Sequence, residues 1–319
     1  MITDRANAIC LLEILKEYSD ENNILQMKEI ISKMNTIYGI KPDRRTIYSA
    51  MALLIELGYD ISLYEENGIG YYLQDRDFEP SEILLLTDAV YSFPFIPAGQ
   101  SEELIKKLQK QLCASKRKNY RHLTVVRKDK KTDNKQIFYN IDILDEAIQN
   151  KKQVSFYYLN YGLDKKLHLR REKPYTVNPY SMVYMNEHYY LICNMAGCDN
   201  TSLYRIDRMR DIAVSEDGWD KGENKNEVRD AIYAFSGKPE DITIYCHNVI
   251  LNDVIDKFGT DIRLSEKDEN HFVLKMSVPP QGVRFWALQY LPWAEVVEPA
   301  RLRNEIIESV KNNKYIKGV

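Results

Sequence analysis

The sequence predicts an α+β protein of more than one domain, and three observations carry that prediction. Apolar side chains recur at helical spacing through residues 8–57, tyrosine-rich strings with period two fill the middle, and strands alternate with helices toward the end. A chain of 319 residues is too long for one ordinary domain and suits two or three. Hydrophobic residues make up 44%, enough for packed cores, yet no apolar run approaches the roughly 20 residues a membrane helix requires. The polar start, Met1-Ile2-Thr3-Asp4-Arg5, holds no signal-peptide core, so a cytoplasmic protein with no membrane partner is expected.

Residues 1–75 read as a first domain. Ala8, Leu11, Leu12, Leu15 and Tyr18 share one side of a helix over residues 3–18, stopped by the polar turn Asp20-Glu21-Asn22-Asn23. Leu25, Met27, Ile30, Ile31 and Met34 mark a second helix, ended near Gly39 and Pro42. Asp43 is placed to cap a third, Arg44 to Leu57, closed by Gly58. Its inward stripe is Ile47, Ala50, Met51, Leu54 and Leu57, which turns Arg44, Arg45, Tyr48, Ser49 and Ala52 outward. Tyr59 to Tyr64 and Tyr71 to Leu73 read as two strands joined at Asn67-Gly68, residues that tolerate positive φ. Three helices and a hairpin make a winged helix-turn-helix, whose third helix enters the major groove by its N-terminal half. Lys41, Arg44, Arg45, Thr46, Tyr48 and Ser49 are the expected contacts to double-stranded DNA. Small Ser49 permits close approach, and Arg45 suits a guanine edge or a phosphate. The alternative is a small helical domain that binds protein or simply folds. Glu65 and Glu66 in the wing count against tight phosphate contact there.

Residues 76–139 read as a helical linker with a basic tract. Pro80-Ser81-Glu82 starts one helix through Leu85 and Ala89; Ser101 to Leu112 forms another with Leu104, Leu108 and Leu112 inward. From Lys106 to Lys131 the only acidic residue is Asp129, although the whole chain carries a net charge of −3. Local field therefore matters more than the total, and the tract reads either as added phosphate contact or as a solvated helix face and loop.

Residues 140–216 carry the strongest pattern. After a short helix, Ile141 to Gln149, the string His188-Tyr189-Tyr190-Leu191 sets Tyr189, Leu191 and Cys193 on one strand face and Tyr190, Ile192 and Asn194 on the other. Leu203 to Arg208 alternates too, with Leu203, Arg205 and Asp207 on one side and Tyr204, Ile206 and Arg208 opposite. Lys165 to Lys173 adds a basic strand in which Arg170 and Arg171 point to opposite faces. One of these arginines, with Arg205 and Arg208, would close a cationic cleft lined by Tyr158, Tyr180 and Tyr189. Tyr204 completes the ligand-binding candidates, a set that suits an anionic or ring-containing ligand. The competing reading makes the tyrosines core residues and Arg205-Asp207 an internal salt bridge.

Val154-Ser155-Phe156-Tyr157-Tyr158, Asn178-Pro179-Tyr180, His188-Tyr189-Tyr190-Leu191 and Tyr204-Arg205-Ile206-Asp207-Arg208 together resemble the WYL domain of bacterial transcriptional regulators. Tyr189 stands where that family has its name-giving tryptophan. The resemblance implies a small Sm/SH3-like β-barrel that senses a ligand, often nucleic acid or a nucleotide.

A polar spacer, Glu216 to Asn226, opens residues 217–319. Strands are expected at Asp241 to Cys246, Phe272 to Val278 and Ala294 to Glu298, with helices at Val249 to Phe258, Gly282 to Tyr290 and Leu302 to Asn312. This order, with Gln289 to Val296, resembles the WCX-type extension that accompanies WYL domains, which implies a ferredoxin-like fold used for dimer contacts.

Cys10, Cys113, Cys193, Cys198 and Cys246 are scattered; only Cys193 and Cys198 lie close, with no second pair at zinc spacing, so no metal is expected. His122, His168, His188, His247 and His271 are isolated, and no phosphate loop, nucleophile elbow or histidine-glutamate helix pair occurs. Neither catalysis nor a cofactor is expected. The sequence points to a ligand-responsive, DNA-binding transcriptional regulator, a homodimer whose effector is a small molecule or oligonucleotide. The alternative is an RNA- or single-strand-binding accessory factor of another nucleoprotein system.

Overall fold

The computed structural model describes residues 6–117, 131–220, 222 and 238–317. They fall into two compact units, Met1–Asp133 and Asn134–Val319. In the first, α1 (Asn7–Tyr18), α2 (Met27–Tyr38) and α3 (Arg44–Glu56) bury one core that includes Leu11, Leu15, Ile30, Met34, Ile47 and Met51. The expected cap forms: the Thr46 N–H donates to the Asp43 carboxylate at 2.7 Å. The helix stops at Glu56, one residue short of Leu57, which is 66% exposed and does not join the stripe.

The hairpin expected after the third helix is shorter than its sequence suggests. Strands β1 (Ile61–Ser62) and β2 (Tyr72–Leu73) flank a single helical turn, α4 (Tyr64–Asn67). Only Gly68 takes positive φ, at 69°. Asn67 instead closes the loop with its side chain, donating to Leu63 O and Gly70 O and accepting from the Ile69 and Gly70 N–H groups. Leu25 and Tyr71 exchange two backbone hydrogen bonds, of 2.9 and 2.8 Å, which fix the hairpin beside the start of α2.

Helices α5 (Pro80–Ser92) and α6 (Ala98–Gln109) follow. In α6 the inward residues are Ser101 and Ile105, so the expected phase through Leu104 and Leu108 is displaced; those two are half-buried. On α5 Leu85 is 72% exposed and the buried line runs through Ile83, Thr87 and Val90. Three basic-tract residues are structural. Lys116 pairs with Glu21, Arg117 takes both oxygens of Glu17, and the Lys131 ammonium donates to Val90 O, Phe93 O, Ile96 O and Ser101 Oγ. Lys106, Lys107 and Lys110 are exposed. Residues 118–130, the rest of the tract and His122, lie outside the described residues. Near Lys116, the buried Asp20 carboxylate accepts from the Cys113 thiol at 2.8 Å, from Ser115 and from Asn23.

The second unit begins with α7 (Ile137–Gln149). The strands β3 (Lys152–Tyr161), β4 (Leu167–Leu169), β5 (Tyr175–Met185), β6 (His188–Met195), β7 (Thr201–Arg205) and β8 (Met209–Gly218) form one antiparallel sheet. Its order is β4-β3-β5-β6-β7, and β8 pairs back on β3, so the sheet curls on itself. The basic strand expected over Lys165 to Lys173 is confined to β4. Leu203 to Arg208 is not one strand either: β7 ends at Arg205, and Ile206–Arg208 form a 3-10 turn.

Residues 221 and 223–226 of the polar spacer lie outside the described residues. Beyond them come β9 (Glu240–His247), α8 (Leu251–Phe258), β10 (Arg263–Asp268), β11 (His271–Val278), α9 (Pro280–Gln289), β12 (Ala294–Glu298), α10 (Ala300–Lys311) and α11 (Lys314–Lys317). Every expected strand and helix of this region is present, and β10 and the short α11 are added. The sheet order is β10-β11-β9-β12, antiparallel throughout, with Trp286 buried among Ile244, Leu274 and Val296. Among the described residues no helix is long and apolar enough to cross a membrane.

Candidate functional site

Two surfaces carry the expected functional residues. The first is the N-terminal half of α3. Lys41, Arg44, Arg45 and Ser49 are exposed, Tyr48 is 50% exposed, and Thr46 is half-buried under the Asp43 cap. The Thr46 N–H, foremost, holds the Asp43 carboxyl below the usual carboxylate range, so the cap stays charged beside Arg45. The buried Tyr71 hydroxyl donates to the Tyr48 hydroxyl at 3.3 Å, with the rings edge to face at 6.4 Å. Tyr48 is thus positioned by Tyr71 while half its surface stays outward.

The second surface is built at the end of β7. Tyr190 stands opposite Arg205 in the β6–β7 ladder, and period two sets His188 on the same face as Tyr190. Because the chain then enters the 3-10 turn, Asp207 folds back on its neighbour. Arg205 Nε and Nη2 donate to its two carboxylate oxygens at 3.1 and 2.7 Å, and the side chains are only 17% and 6% exposed. The Arg205 N–H donates to the Tyr158 hydroxyl at 3.2 Å. From α7 and the residues before it, Asn134 donates to Asp207 O at 3.0 Å and to Met209 O at 3.3 Å, and Asn140 to Met209 O at 3.5 Å.

Two buried nitrogens beside this pair, His188 Nδ1 and Arg208 Nε, have no hydrogen-bond partner among the described residues. Buried polar atoms are rarely left so, and both suit an incoming ligand. Burial first, then the Arg205 charge, lowers the His188 pKa, so its ring is neutral at pH 7 and offers Nδ1 as donor or acceptor. The Arg208 guanidinium carbon lies 5.6 Å from the centroid of the Tyr161 ring, which is 60% exposed.

The tyrosine-lined cleft does not form as expected. Tyr158 and Tyr204 are buried with Phe156 and Tyr175 in one ring cluster, in which the Tyr158 and Tyr204 centroids are 5.0 Å apart and the Phe156 and Tyr204 centroids 5.2 Å. Tyr180 is buried edge-on to Trp219 at 5.0 Å. Tyr189 is half-buried. Arg171 lies 3.5 Å over the Tyr175 ring and donates to Lys173 O and Pro174 O, so it braces the loop after β4. Arg170 is exposed beside it, and its N–H donates to Tyr158 O. Of the expected ligand residues, the turn brings together Arg205, Arg208 and the Tyr158 hydroxyl. His188, Tyr190 and Tyr161 are additions. Sequence reasoning missed them; the period of two that sets His188 on the Tyr190 face is the signal that could have found the first two.

Residues 139–214 match the family model of the WYL domain. This stretch is a WYL domain. Its match covers the curled sheet as far as β8 and includes the Arg205–Arg208 turn. The chain as a whole is similar to a solved structure of proteasome accessory factor B/C of Arthrobacter aurescens, at 12% identity and TM-score 0.28, covering 95% of this chain and 47% of that one. It therefore spans about half the length of that protein. A CRISPR Cas-related protein is similar at 13% identity and TM-score 0.38, over 99% of this chain and 90% of the other. No curated protein matches the chain.

Proposed function

We propose that this protein is a ligand-responsive, DNA-binding transcriptional regulator with no catalytic role. The observation that carries the proposal is the outward set Arg44, Arg45, Tyr48 and Ser49 on a capped third helix, in a chain that also holds a WYL domain. The first unit is read as a winged helix-turn-helix, the WYL sheet as an Sm/SH3-like barrel, and the β9–β12 region as ferredoxin-like. Its strand order supports the last reading. A homodimer would offer two such helices to half-sites about 34 Å apart or a multiple of it.

The effector is a nucleotide, oligonucleotide or other anionic small molecule, bound where Arg208 Nε and His188 Nδ1 lack partners. A coupling of about 1 to 3 kcal/mol between the sites changes operator affinity roughly 5- to 150-fold.

The test is selection of genomic fragments by the purified chain, with and without cell extract, followed by mobility shifts on the enriched duplex. Arg45→Glu is expected to abolish duplex binding, and Arg208→Ala to leave it intact while removing the response to extract. Failure to enrich any fragment, or unchanged duplex binding by Arg45→Glu, would overturn the reading.

A further inference from the structure

The C-terminal sheet has two faces, and its helices cover one. Ile242, Ile244 and Cys246 of β9 and Phe272 and Leu274 of β11 share a core with Val254, Val283, Trp286, Leu302 and Ile306 of the helices. Period two sends Thr243, Tyr245 and His247, with His271, Val273 and Lys275, to the opposite face, where each is half-buried or exposed. Register arranges them in rows: His247 opposite His271, Tyr245 between Val273 and Glu295, and Thr243 opposite Lys275. Trp293, 45% exposed, adjoins the first row, its carbonyl accepting the His247 N–H at 2.8 Å. From β10, Arg263 stands beside Lys275, and the Lys267 ammonium sits 3.4 Å over the Tyr245 ring.

We propose that this open face binds a single strand of nucleic acid, with unpaired bases stacking on Tyr245, His247, His271 and Trp293 and phosphates meeting Lys267. Rings on the two central strands of a four-stranded sheet, beside an ammonium group, match the two halves of a nucleotide. A duplex keeps its bases inside and offers this face nothing to stack.

The imidazoles are already oriented. His247 Nδ1 accepts the Val249 N–H at 3.1 Å, His271 Nδ1 lies 2.8 Å from Asp268 Oδ1, and the rings meet edge to face at 5.1 Å. Lys267 covers the ring face that a base would take; on binding it exchanges that ring for a phosphate, which keeps its charge compensated. Acidic residues set the path. Asp241, Asp261 and Glu298 line the depression of about 690 Å³ at the Arg263 end and outnumber its cations, Arg263 and Lys275, whereas Glu295 beside Tyr245 is already paired with Arg303 at 2.6 Å, so a polyanion is directed across the Lys267, Tyr245, His271 and Trp293 side instead.

The test uses the full chain and fluorescein-labelled 20-nucleotide polyuridine RNA and polythymidine DNA, read by anisotropy. Tyr245→Ala is expected to weaken binding of the preferred strand roughly 5- to 150-fold, the effect of losing one stacked base, and Tyr245→Phe to stay within about twofold. Lys267→Glu, at an exposed position where folding is not at stake, should weaken binding and flatten its salt dependence. A bromouridine-substituted strand should cross-link to peptides holding Tyr245 or Trp293. Preference for either sugar supports the proposal. Failure of both strands to bind overturns it, as does binding by Tyr245→Ala and Lys267→Glu equal to the parent, or loss through Arg208→Ala alone, which would place the strand on the WYL domain.

Discussion

Replacing Asp207 with alanine is expected to cost about 3 to 5 kcal/mol of stability, the range for breaking one side of a buried ion pair. The carboxylate is 6% exposed and takes two charge-assisted hydrogen bonds from an Arg205 side chain that is itself 17% exposed. Without it the guanidinium stays in a poorly hydrated site, because the Arg205 backbone is held by the β6 ladder and the Tyr158 hydroxyl. At roughly 2 to 4 °C per kcal/mol for a unit of this size, the melting temperature falls by about 6 to 20 °C. Trp219, edge-on to the buried Tyr180 in the WYL domain, reports the transition through its fluorescence in urea. The double variant Arg205→Met, Asp207→Ala should recover most of the loss, because no charge is then left unpaired. A single-variant cost under about 1 kcal/mol, or a double variant no more stable than Asp207→Ala, would refute the reasoning.

Asp20→Asn should flatten the acid limb of unfolding of the first unit. Burial works to raise the Asp20 pKa, but the bonds from Cys113, Asn23, Ser115 and Asn22 outweigh it and bring it to about 2. The carboxylate therefore stabilises fully above about pH 4, and roughly 2 kcal/mol is lost as pH falls toward 2. Urea midpoints between pH 5 and 2 check this, and an unchanged pH slope in the variant contradicts it. Gly70→Ala should loosen the β1–β2 hairpin by about 1 to 3 kcal/mol. A Cβ there would lie 2.2 Å from Leu25 O, inside the backbone pair that holds Tyr71, and hydrogen exchange at the Leu25 and Tyr71 amides reads the effect. Phe156→Ala should cost about 3 to 5 kcal/mol by opening the ring cluster, measured by thermal melting. A loss near zero would mean that Tyr158, Tyr175 and Tyr204 do not depend on it.

Much of the fold was legible wherever the deciding interaction is local. Asp43 caps α3 through a bond to a residue three positions on, and the stripe from Ile47 to Leu54 follows from helical pitch alone. The exceptions are long-range. In α6 the inward position is the polar Ser101, whose Oγ accepts from Lys131, thirty residues on, a partner that helical spacing cannot announce. Nothing in Leu203 to Arg208, which holds neither glycine nor proline, marks where β7 stops; the Arg205–Asp207 pair and the Asn134 amide hold the turn. All of β10 is exposed, so it has no apolar alternation to read. At the candidate sites the outward residues of α3 were foreseen. The tyrosine cleft was expected and does not form, because alternation cannot tell a ring that lines a cavity from one that fills a core.

The two amides of Asn134 and Asn140 have a mechanical consequence. By gripping the carbonyls of Asp207 and Met209 they yoke the beginning of α7 to both ends of the segment that aims Arg208. The turn that carries Arg208 is therefore tied to the entrance of the second unit as well as to its own sheet, so its backbone is clamped from two sides.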